Sequence, residues 1–364
     1  MKRASIAAIA VAGALTGIAQ AQTSSVTLYG IMDAGLVRES GGASGMLTKL
    51  TSGVAAASRL GLRGYEDLGG GNAAIFTLES GLKIDTGEND VANTLFNRQA
   101  FAGMKTNYGT LTFGRQYTPL FWAVTQVADP LRTGYVGNAK TLLPTAGNGT
   151  RTSNTVYYIT PEVDGWALDL AYAMGEQAGD AGAGRQMGGS LRYTSGKLNA
   201  RLVYNNRNSD IAASAATAAA PAASHDIGTN ILLVTNYDFG PFRGFFSYGR
   251  DKGYNSAPFG VPNAYSGIKA VPSTDSRDLL LGFQLPLGSG TLMGLYLMKD
   301  DRTRFNQDAR LSSIAYSYPL SKRTDLYVAY GHLDNRNGAG YTVVNSSESG
   351  SGNRASTLGV RMLF

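Results

Sequence analysis

Leu198-Asn199-Ala200-Arg201-Leu202-Val203-Tyr204-Asn205 has a period of two: Leu198, Ala200, Leu202 and Tyr204 fall on one face, and Asn199, Arg201, Val203 and Asn205 on the other. A helix, with its period of 3.6, does not separate these sets, whereas a strand lying between two environments does. The rhythm returns in Ala74, Phe76 and Leu78 against Thr77 and Glu79, in Leu279, Leu281, Phe283 and Leu285 against Asp278 and Gln284, and in Leu326, Val328 and Tyr330 against Asp325. It ends the chain, where Leu358, Val360, Met362 and Phe364 alternate with Thr357, Gly359, Arg361 and Leu363. The chain is read as all-β.

The connections fall into two kinds. Seven are short and turn-rich, at 66–71, 105–109, 161–165, 194–197, 238–241, 286–290 and 319–323. Between them lie longer polar stretches, at 38–52, 85–95, 117–150, 173–186, 206–226, 250–275, 300–308 and 332–352. Seven hairpins plus a strand at each end give sixteen strands, and an even number with short turns on one rim and long loops on the other is the pattern of a bacterial antiparallel transmembrane β-barrel. A secreted β-sandwich or adhesin also explains the alternation, but not an asymmetry of connections that persists over seven hairpins. The Ala-rich run 212–223 reads as an insertion tolerated in an exposed loop.

Composition agrees. Of 364 residues, 47 are Gly and only 16% are charged, while 43% are apolar. Glycine is nearly double its usual share of about 7%, as a chain rich in turns requires. The absence of cysteine excludes a disulfide scaffold and a thiolate metal centre. Lys2 and Arg3, the apolar run Ile6 to Leu15 and Ala19-Gln20-Ala21 read as a signal peptide over 1–21, with the mature chain starting at Gln22. Its removal takes two bases and leaves a net charge of +4 from the full chain's +6. The remaining bases are scattered singly, so no nucleic-acid partner is expected.

Several segments carry a family resemblance: SSVTLYGIMDAGL (Ser24 to Leu36), SRLGLRGYEDLGGGNAAIFTLESG (Ser58 to Gly81), FGRQYTP (Phe113 to Pro119), LSKRTDLYVAYGH (Leu320 to His332) and the terminal Phe364. Together they resemble the trimeric general porins of Gram-negative outer membranes, in particular the beta-proteobacterial branch. The resemblance implies an outer-membrane barrel over 22–364 with short periplasmic turns and a third loop, 118–150, folded into the lumen as a constriction. It also implies a homotrimer, latched through the loop that carries Glu88, and a terminal aromatic read by the outer-membrane assembly machinery. The expected function is passive diffusion of ions and small hydrophilic solutes through a barrel set in outer-membrane lipid. A substrate-specific porin is the alternative within the family, and an adhesin without channel activity the alternative outside it.

No motif points to an enzyme or a cofactor. Gly69-x-Gly71-x-x-Ala74 fits part of a dinucleotide fingerprint, but a strand follows where a helix N-terminus is needed. His225 lies between Ser224 and Asp226, and neighbours on a loop do not align as a triad. Asp300, Asp301 and Asp308 read as ordinary acids of a solvated loop rather than a cation site. The inward-facing bases carry more. Arg59 is opposite in parity to Leu60 and Leu62, Arg98 is in phase with Ala100 and Ala102, and Arg151 opens a strand. With Arg63 and Lys83 they are expected to form a positive wall, facing a loop whose one acid is Asp129 and whose bases are Arg132 and Lys140. Glu79, Asp33 and Asp325 also face inward and would oppose an anion preference. Arg115 shares parity with Leu111 and Phe113 and is expected to face outward, at a subunit interface.

Overall fold

The computed structural model describes residues 24–42, 45–145, 147–257 and 272–364. The signal peptide and the start at Gln22 lie outside them, as does part of the long stretch at 250–275. Strands join their sequence neighbours antiparallel from Ser24–Gly42 to Arg354–Leu363. The last strand pairs with the first, from Ile31 opposite Leu363 to Ser40 opposite Arg354, which closes the sheet. The second staircase of the barrel is one strand in two pieces, Gly45–Ser52 and Arg59–Gly69, both paired with the first strand. The pair Glu88–Asn89 is a two-residue extension hydrogen-bonded to Lys83 and Leu82. Sixteen wall strands remain, and closure leaves no open edge, as a sheet in hydrocarbon requires.

The alternation read from sequence is the alternation of the wall. Leu202 and Tyr204 are exposed on the outside, at 50% and 44%, while Arg201 and Asn205 point inward and are buried. Outward aromatic side chains gather at the short-turn rim, among them Tyr108, Trp166, Phe239, Phe242 and Tyr318, where an interfacial girdle belongs. Residues 38–52 depart from the expectation of a loop. Of these, 38–42 and 45–52 pair antiparallel, with Arg38 opposite Thr48 and Glu39 opposite Leu47, because the in-out alternation of Val37, Arg38 and Glu39 continues past the polar threshold.

The real interruption lies at 53–58, between the two pieces of the second strand. There the backbone N–H groups of Val54, Ala55 and Ala56 donate to the Asp33 carboxylate, which also accepts from the Tyr327 hydroxyl at 2.8 Å. Another inner-wall cluster lies near the long-loop rim. Lys299 Nζ sits 2.7 Å from Asp278 and 3.0 Å from Asp251, with all three side chains fully buried.

Loop 118–150 enters the lumen. Thr118 caps a short helix, Pro119–Ala123, by accepting from the Phe121 N–H, and Pro119 occupies the first turn, where its missing N–H costs nothing. The apolar side of the loop, with Leu120, Val124, Val127, Leu131, Leu142 and Leu143, packs with Val203, Leu232, Val234, Leu280, Leu297 and Leu311. This explains why those wall residues are apolar although they face inward. The wall reaches the loop through side-chain donors. Asn236 donates to the Val127 carbonyl at 3.0 Å, Gln284 to Pro130 at 2.6 Å and Ser313 to Gly137 at 2.6 Å. Gly282 permits the approach, since a Cβ there would stand 2.7 Å from the Pro130 ring.

Candidate functional site

The loop leaves open a cavity of about 770 Å³ between itself and the wall formed by the first strands. Arg59, Arg63, Arg98, Arg132, Lys140 and Arg151 line it, against the side-chain carboxylates of Glu79 and Asp90. Tyr117 is its hub. Its hydroxyl receives Arg98 Nη2 at 2.6 Å and Arg151 Nη2 at 2.7 Å, and the Arg151 guanidinium lies over its ring at 4.3 Å. Phe121 stacks on that ring at 4.7 Å. Arg98 Nε also binds Glu79 at 2.7 Å, and Arg59 approaches the same carboxylate at 3.7 Å. Arg63 lies over the Tyr29 ring at 4.9 Å.

Sequence reasoning missed Tyr117. It sits just past a register shift between Gly114 and Gln116, so a strict period of two assigns it to the wrong face. The same bulge corrects the reading of Arg115. Instead of projecting from the outer face it is half-buried at the edge of the cavity, with Nε on the Asn97 carbonyl at 2.7 Å and Nη1 on Ser153 Oγ at 3.0 Å. Arg98 faces inward, but not by the parity argued for it. Ala102 and Met104, in that phase, are on the outside, and Arg98 turns in because it precedes the strand Gln99–Thr106.

Other residues are not brought to the cavity. Lys83 is the last residue of its strand, away from the cavity, and pairs with Glu88 at 3.6 Å. Asp129 is turned into its own loop, where its carboxylate accepts the N–H groups of Leu131, Thr133 and Ala139 at 2.8 to 3.0 Å. A buried carboxylate needs such donors, and this turn supplies them. The grip holds Arg132 in the left-handed region, φ 53°, with its side chain exposed. The opposing acids are engaged: Glu79 by Arg98, Asp33 by the 54–56 backbone, and Asp325 by Arg361 at 2.9 and 3.1 Å. Phe364 exchanges backbone hydrogen bonds with Gly30 at the seam, and a Cβ on Gly30 would lie 2.3 Å from its ring.

Lys140 donates to the Ser346 carbonyl at 3.1 Å. Burial, with the Arg151 and Arg98 guanidiniums beside it, pulls its ammonium down to about 8. Below that pH it adds a positive charge to the cavity, and above it the charge is lost. Any preference for anions measured at pH 7 should therefore weaken at pH 9, and Lys140→Arg should abolish the change. An unaltered preference across that interval would remove Lys140 from the charged wall.

A closed sixteen-stranded barrel, apolar outside and charged within, its lumen narrowed by an inward loop, is a membrane channel of the bacterial outer-membrane type. A family model described as Gram-negative porin matches residues 7–338, and the chain belongs to that family. It is 31% identical over 380 residues to an outer membrane porin protein of Bordetella pertussis, covering 91% of this chain and 94% of the relative. It is 30% identical over 346 residues to outer membrane porin protein 32 of Delftia acidovorans, covering 91% and 90%. Among solved structures it is similar to the anion-selective porin from Comamonas acidovorans, with 25% identity and a TM-score of 0.73, covering 94% of this chain and all of that one. The protein is an outer-membrane porin channel.

Proposed function

We propose that the cavity beside loop 118–150 is the narrow part of the pore and that it passes anions in preference to cations. The observation carrying this reading is its lining of seven bases, Arg115 at the edge included, against two side-chain carboxylates, one of which is already held by Arg98. Fixed charge at close quarters sets ion preference. The similarity to a porin named for anion selectivity gives further support. The test is the zero-current potential in a KCl gradient across a planar bilayer holding the purified protein. Anion preference is expected, and a cation-selective pore would refute the proposal.

The working unit is a homotrimer in this reading. Support comes from the loop after Lys83 that carries Glu88, where Val91 and Leu95 are exposed at 47% and 63%. Such side chains suit a latch onto a neighbouring subunit. Arg115 lines the edge of the cavity, so the latch is not argued from it. Leu95→Asp should lower the trimer's dissociation temperature in detergent, and an unchanged temperature would exclude the latch.

A further inference from the structure

On the other side of the inward loop, a second group of inward-facing polar residues lies outside the cavity described above. Arg192 and Arg201 are direct cross-strand partners, as are Ser190 and Asp169 on the adjoining ladder. Like charges placed opposite each other on adjacent strands repel. Asp169 forms an ion pair with only one of the two guanidiniums, sitting 3.1 Å from Arg192 Nε, where its Oδ1 accepts no hydrogen bond, and it acts on Arg201 through its charge alone. Arg201 Nη2 reaches the loop at Gln126 Oε1, 2.5 Å away, while its Nε has no hydrogen-bond partner in the protein. The Tyr157 hydroxyl and Ser190 Oγ are likewise unpartnered, and all three residues are more than nine-tenths buried. Buried donors are nearly always satisfied, so three orphans in one cluster call for a ligand that accepts.

We propose that Arg201, Tyr157 and Ser190, with Arg192 beside them, form a second station for a small oxyanion, a phosphate, sulfate or carboxylate group. The chemistry selects the sign. Two guanidiniums and two hydroxyls face a single carboxylate, so a net positive charge and several donors remain for an incoming group with more than one oxygen. Such a group relieves the Arg192–Arg201 repulsion and accepts from donors that have no other partner. Gln126 places the station against the inward loop, so an oxyanion passing the loop meets a second set of donors on this wall. The proposal rests on the channel, not on the ion preference of the first cavity.

The test takes selenate and phosphate as probes. Crystals of the native porin soaked in potassium selenate should give an anomalous selenium peak within hydrogen-bonding reach of Arg201 Nε, Tyr157 Oη and Ser190 Oγ. In planar bilayers, conductance in potassium phosphate should saturate, and Tyr157→Phe with Ser190→Ala should raise the half-saturating concentration about tenfold, two hydrogen bonds to an anion being lost. That double variant removes hydroxyls and no charge, so its zero-current potential in KCl should match the native value. A native crystal without the peak, or unchanged phosphate saturation in the double variant, would overturn the station. A cation-preferring native pore in KCl would sink the reading of the first cavity and leave the selenate peak in place.

Discussion

Arg98→Ser should move the zero-current potential toward cations further than Arg151→Ser does. Both remove one positive charge from the cavity, but their partners differ. Arg151 is held by the Tyr117 hydroxyl and ring, so its loss frees no carboxylate. Arg98 holds Glu79 at 2.7 Å, and its loss leaves that carboxylate to Arg59 at 3.7 Å and the Tyr29 hydroxyl at 2.9 Å. Two unit charges about 4 Å apart interact by about 1 kcal/mol in water and about 4 kcal/mol at an effective dielectric near 20. Even the lower figure corresponds to about a fivefold change in relative passage. The measurement belongs at 0.1 M salt, where the screening length is about 10 Å, rather than at 1 M, where it is about 3 Å. An Arg98→Ser potential no further displaced than that of Arg151→Ser would show that Glu79 does not face the ions.

Lys299→Met should be the most damaging single change to the barrel itself. Lys299 answers both Asp251 and Asp278, and Asp251 accepts further from Asn230 at 2.7 Å. Removing the one cation leaves two fully buried carboxylates face to face. Breaking a buried ion pair from one side costs about 3 to 5 kcal/mol, and here the remaining charges also repel. The unfolding temperature in detergent should drop sharply, and adding Asp251→Asn with Asp278→Asn should recover much of the loss. A triple variant no more stable than Lys299→Met would mean that the lysine contributes through packing rather than charge.

The wall was legible in the sequence because its physics is local. A strand between hydrocarbon and water must alternate, and Leu358, Val360 and Met362 display that as plainly in one dimension as in three. The site was legible only in part. Arg59 opens a regular strand and keeps its phase, so parity alone sends it inward. Parity fails at Arg98, which precedes its strand, and at Arg115 and Tyr117, where a bulge changes the phase without any mark in composition. Asp129 illustrates a different limit. Its acid is visible in the sequence, but whether it faces the passage depends on three N–H groups that converge only once the turn has closed. The inward apolar patch of Val203, Leu232 and Leu297 was likewise unreadable, because what covers it arrives from a loop far away in the chain.

The moorings of that loop have a consequence for how such channels diversify. Asn236, Gln284 and Ser313 belong to the wall, and what they grasp are main-chain carbonyls at Val127, Pro130 and Gly137. Every amino acid supplies a carbonyl. These three moorings of the loop thus rest on groups common to all residues, and the side chains of Arg132 and Lys140, which line the cavity, are not among the groups grasped. Selection can rewrite the filter one side chain at a time without unfastening it from its frame, and a new diet for the cell need not wait for a new architecture.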